Sequence, residues 1–164
     1  TSVALIQELV AHLVWADTEL LSAVAAAPNA CSYEKLTGTL HHIAIVQRVF
    51  HAMLTGGALD IQLEPNHQDV AALKALYSRS HTDLHSFTGD LTEESLARPV
   101  QNPWVPELAG TVAQILMQVI LHSQSHRGQC LTRRHELTGN APTLDFIIWL
   151  KFGRPTLPQT VAAG

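Results

Sequence analysis

Cysteine, basic charge and long apolar runs are all scarce in this 164-residue chain, and each scarcity removes a class of protein. Two cysteines, Cys31 and Cys130, are too few for a disulfide framework, and a reducing cytoplasm suits them best. Ten Lys and Arg stand against 14 Asp and Glu, so the basic footprint that nucleic acid requires is missing. No apolar run reaches the ~18 residues of a membrane span. No basic region precedes an apolar core at the start, so no signal peptide is expected. Strand-period alternation is nowhere strong enough to compete with helical spacing.

What the chain has instead is histidine, ten residues of it, and 46% hydrophobic residues arranged at helical intervals. The length suits one domain, placed at 1–152, followed by a Pro-containing tail at 153–164. The pattern predicts an all-α fold. A first helix runs over 3–26, capped by Ser2, with Leu5, Leu9, Leu13, Leu20 and Val24 as its inner lane. Trp15 belongs in the core with His12 at its edge. A second helix runs from 35 or 37 to 55 and stops at Gly56-Gly57. A third spans roughly 67–90, with Asn66 and Asp69 at its start. A fourth starts at the cap Thr111 and runs to Thr138, before Gly139-Asn140. A short last helix covers 144–151, using Phe146, Ile147, Trp149 and Leu150. The proline-rich connection at 92–110 contains Trp104, as either a lid over a pocket or a plug on the core.

The stretch that carries chemistry is His122-Ser123-Gln124-Ser125-His126-Arg127-Gly128-Gln129. Two histidines four apart stack on one side of a helix, a spacing at which both imidazoles reach one divalent ion. A stable site needs a third protein ligand. His42 is the candidate, because it falls in an inward lane of the second helix with Val46, Val49 and Met53, while His41 points away. A buried imidazole needs a partner, and a metal is one. The competing explanation is a set of core histidines hydrogen-bonded to carbonyls or carboxylates. A second pair, His81 and His85, has the same spacing but falls on the solvated flank of the third helix. Gly128 inside a helix costs about 1 kcal/mol relative to Ala and suggests close approach of another helix. Cys130 faces inward as an inert thiol. Glu64 and Glu107 lie in loops and could act as bases, but neither has a specific signal.

These residues resemble the DinB-like family of metal-binding four-helix proteins, which includes thiol-dependent transferases. Leu13-Val14-Trp15-Ala16-Asp17 is similar to the family's Trp-Ala-Asn segment, with Asp replacing Asn. Leu40-His41-His42-Ile43 matches the segment of its first ligand. His122-x-x-x-His126-Arg127-Gly128-Gln129 is the most specific match, and Pro142-Thr143-Leu144-Asp145-Phe146 is similar to the segment before the last helix. The resemblance implies His42, His122 and His126 as ligands and an up-down-down-up bundle with a short C-terminal helix. It also implies a homodimer, for which the outer lane Val3, Val10 and Leu21 is a candidate surface. Gln47 stands where relatives often carry an acid.

Three neutral imidazoles leave an ion its positive charge and open positions, enough to activate water or deprotonate a thiol. Zn is the default ion, with Ni, Fe or Mn also compatible with imidazole. Three functions follow. One is an enzyme such as a transferase using a low-molecular-weight thiol. The others are a metal-dependent hydrolase and a non-catalytic bundle stabilised by its metal.

Overall fold

The computed structural model describes residues 2–59 and 69–156, and they are mostly helical. Helix α1 is Ser2–Ala25, α2 is Pro28–Cys31, α3 is Glu34–Thr55 and α4 is Val70–Gly89. Helix α5 is Glu93–Leu96, α6 is Val112–Thr138 and α7 is Phe146–Lys151. Between α5 and α6, the two-residue strands β1 (Pro99–Val100) and β2 (Gly110–Thr111) pair antiparallel and close the long connection on itself.

The boundaries have local causes. Thr111 accepts from the backbone N–H of Gln114, whose side chain accepts in return from Thr111 N–H, so two otherwise orphaned donors are satisfied. Gly139, at φ 80°, ends α6 in the left-handed region that a side chain would resist. Asp69 caps α4 through the N–H groups of Ala71 and Ala72. Asn66 and Glu64 lie outside the described residues. Ser2 is already helical and so is not the expected cap.

The four long helices enclose the core. Helix α1 packs on α4 and α6, and α3 packs on the same two. One apolar cluster joins Ile6, Met53, Leu54, Leu96, Val112 and Leu116. A second joins Leu20, Val24, Leu36, Leu40, Leu73, Tyr77 and Cys130. A third, of Val10, Leu13, Leu84, Val119 and Ile120, lies between them in helix register. Burying these side chains supplies the main driving force, roughly 1.5–3 kcal/mol for each large one.

The expected inner lane of α1 holds at Leu13, Leu20 and Val24, but Leu5 is exposed and Ile6, Val10 and Leu21 are buried as well. Val10 and Leu21 are therefore core residues and cannot be an outer dimer surface. The wider buried arc follows from the position of α1 against both α4 and α6. Ile147 is exposed, so α7 covers the bundle through Trp149, with Leu144 buried just before it. Trp104 is 47% exposed and does not plug the core. Gly128 is exposed too, and a Cβ there would meet nothing within 4 Å. No helix passes close enough to demand its small size. Among the described residues, no helix is long and apolar enough to cross a membrane.

Candidate metal centre

His42, His122 and His126 come together across the α3–α6 seam. One ring nitrogen from each lies within 4.8 Å of the other two. His42 Nε2 and His122 Nε2 are 3.1 Å apart. Two lone pairs cannot face each other at that distance, so a proton or a cation must lie between them. Two ligand nitrogens bound at 2.0–2.1 Å to one ion would be separated by about 2.9 Å in octahedral and about 3.3 Å in tetrahedral geometry. The observed pair falls between these values. The ring centroids of His126 are 4.8 Å from His42 and 4.4 Å from His122. The donor set is all imidazole and suits a borderline transition metal better than Mg or Ca.

One expectation is reversed. His42 does not point into the bundle. Its side chain is exposed, and the two histidines on α6 are half-buried. The inward face of α3 is taken by Leu36, Leu40, Ile43, Ala44 and Gln47, which puts His42 at the rim where α3 meets α6. The imidazoles thus lie within reach of a small molecule from solvent. Burial, then the neighbouring His126, push the His42 pKa down. Burial, His126 and His42 together push His122 down to about 4. Both rings are therefore neutral near pH 7, the form that binds metal. His122 Nδ1 is buried with no hydrogen-bond partner, and the ring's other nitrogen, Nε2, is the one that faces His42. The residues present fit a metal ion.

Beneath the histidines lies a polar layer that sequence reasoning missed. Asp17 is buried, and its Oδ1 accepts from Arg127 Nη1 at 2.6 Å. Its Oδ2 accepts from Gln47 Nε2 at 2.6 Å and from His81 Nε2 at 3.2 Å. Gln47 also donates to Ser123 Oγ and accepts from Ser80 Oγ. Arg127 donates to Gln124 Oε1 as well. Burial alone would raise the Asp17 pKa. The Arg127 charge and the His81 hydrogen bond outweigh it and hold the carboxyl below its usual range.

His81 is thus buried on a carboxylate, contrary to its expected place on the solvated flank. Ser80, His81 and Thr88 form an inward polar lane on α4 beside its apolar stripe, so distance from the apolar stripe does not mean exposure here. His85 is exposed, as expected. His12 is buried, with Nε2 2.8 Å from the carbonyl oxygen of Leu144. A usable signal for the layer was present. Asp17 interrupts the apolar lane between Leu13 and Leu20, and Arg127 interrupts the one between Ser123 and Cys130.

The layer anchors the candidate ligands by register. Ser123 follows His122 and Arg127 follows His126, so each candidate on α6 precedes a residue tied into the core. The DinB family model matches residues 4–151. The chain belongs to the DinB family. No curated protein and no solved structure matches it. In this DinB protein Gln47, in the place where an acid was expected by resemblance, lies in the buried layer and faces Asp17, Ser80 and Ser123. Cys130 is buried, and that burial lifts its thiol to about 12, so it remains protonated. Glu107 is exposed in a single 3-10 turn.

Proposed function

We propose that His42, His122 and His126 bind one divalent transition metal, Zn first and Ni, Fe or Mn next. We read the protein as a metal-dependent enzyme, a transferase using a low-molecular-weight thiol. The observation that carries this reading is the convergence of three imidazoles, with no carboxylate among them, at a rim open to solvent. When bound, such an ion supplies Lewis acidity that activates water or a thiol.

The chain's own residues narrow the chemistry. Cys130 is sealed and protonated, so the nucleophile comes from outside. The exposed edge of His42 leaves an approach for it. The layer under α6 fixes the backbone that carries His122 and His126, so their positions are set before substrate arrives. A hydrolase would use the same three residues with water as nucleophile. A non-catalytic, metal-stabilised bundle would need a closed shell, and the exposure of His42 argues against that.

An up-down-down-up course belongs to the same reading. It is supported by the clusters. Ile6, Leu54 and Val112 share one end, whereas Val24, Leu36, Leu73 and Cys130 share the other. The unpaired Cys31 and Cys130 suit a cytoplasmic setting. Homodimerisation is also proposed, through a surface other than Val10 and Leu21.

Elemental analysis of tag-free protein, beside His126→Ala, tests the site. About one equivalent of transition metal in the parent and little in the variant is expected. Equal metal in both would remove His126 from the site. A cobalt-substituted sample then separates the reactions. Added thiol should change its visible spectrum, whereas a hydrolase would turn over ester or amide probes with no thiol present.

A further inference from the structure

We propose that Gln129 is a positioning residue of the metal centre, whose side-chain oxygen holds His126 in the tautomer that presents Nε2 to the ion. The proposal rests on the metal reading above and concerns how one of its rings is oriented.

Gln129 follows His126 by three residues and so sits one turn further along the same face of α6. Its Oε1 lies 3.0 Å from His126 Nδ1. An amide oxygen only accepts, so the proton of this contact belongs to Nδ1. A neutral imidazole has one N–H and one lone pair, so the lone pair falls on Nε2. Neither other ring is fixed in this way. His42 meets His122 through Nε2, and His122 Nδ1 has no hydrogen-bond partner. Among the described residues, His126 is the one member of the trio oriented by a side chain outside it.

Two further features separate this contact from ordinary surface bonding. Gln129 is exposed and belongs to none of the apolar clusters, so packing does not explain its orientation. The ring it fixes also lies against the other two candidate ligands. Metal-ligating histidines commonly donate their second N–H to an oxygen, which sets both tautomer and ring angle. Here that oxygen is uncharged. The ring is oriented without adding a negative charge, so an ion bound there would keep more of its Lewis acidity.

The test compares the parent chain, Gln129→Leu and Gln129→Glu. Zinc affinity would be measured by competition with a chromophoric chelator. The His126 tautomer would be read in metal-free protein from long-range nitrogen–proton NMR correlations. The parent should show protonated Nδ1, and the leucine variant should lose that preference. Zinc affinity should fall about 10–100-fold in the leucine variant and return in the glutamate variant. Thermal unfolding of the metal-free proteins should be alike, because Gln129 is exposed. Equal zinc affinity in the parent and the leucine variant would overturn the role of Gln129 alone. So would a parent protonated at Nε2. A parent that binds no zinc would overturn the metal reading and this assignment with it.

Discussion

Arg127 donates to Asp17 at 2.6 Å, with 2% or less of either residue exposed. The pair ties α6 to α1 immediately below His126. A buried ion pair is seldom better than a well-packed apolar pair, but removing one partner strands a charge in the core. Arg127→Met should therefore destabilise the fold by about 3–5 kcal/mol, and Asp17→Leu by a similar amount. The double variant should recover much of that loss. Urea unfolding of the four proteins gives the coupling directly. Additive losses would mean that the pair does not act as a unit.

The metal should itself stabilise the fold. A ligand that binds only the native state adds about 2.7 kcal/mol at a free concentration 100 times its Kd. For a chain of this size that corresponds to a rise of very roughly 5–10 °C in Tm. Differential scanning fluorimetry with zinc, then with excess chelator, checks this. Replacing His42 by Ala should remove most of the rise while leaving the metal-free Tm nearly unchanged, because His42 is exposed. An undiminished rise in His42→Ala would exclude His42 as a ligand.

Much of this was legible in the sequence because helices announce themselves by period and caps. Thr111, Gly56 and Gly139 mark the ends of α3 and α6. The His122–His126 spacing placed both rings on one face. Polar burial was harder to read. Asp17, Gln47 and Arg127 fall within inward lanes, where a lone charge or amide would be costly, yet these three and His81 are buried because each has the others as partners. That condition is cooperative and spans four helices, so no single window of sequence contains it. The direction of His42 is hidden for a related reason, because its surroundings are set by α6 and not by α3 alone.

Acid should weaken the metal-free fold before its carboxylates titrate. Burial is the leading cause that lowers the pKa of His12, His42, His51 and His122 below 6.5. For each, the unfolded chain takes up a proton near pH 6.5 while the folded ring resists. Stability is thus fully present above about 6.5 and is lost as pH falls toward the folded values, about 4 for His122. The depressed Asp17 acts in the same direction, but only below its ordinary carboxylate range. Urea unfolding with chelator at about pH 7.5, 6 and 5 should show a progressive loss. A flat profile across that range would contradict the lowered pKa values of these rings.

His12 should decide how firmly the C-terminal segment is held. Its Nε2–H donates to the Leu144 carbonyl, and its ring packs against Trp15, Phe146 and Trp149. Trp149 in turn donates to the Pro155 carbonyl. Replacing His12 by Phe retains an aromatic ring but leaves the Leu144 oxygen without its donor. The expected cost is about 1–3 kcal/mol, the usual penalty for a buried polar group left unpaired. Because the lost bond joins α1 to the segment before α7, loosening should appear there first. Hydrogen exchange in α7 should accelerate more than in α3 or α4, and Trp149 emission should shift to the red as water reaches it. Uniform acceleration across all helices would instead mean that His12 supports the whole core and has no special hold on α7.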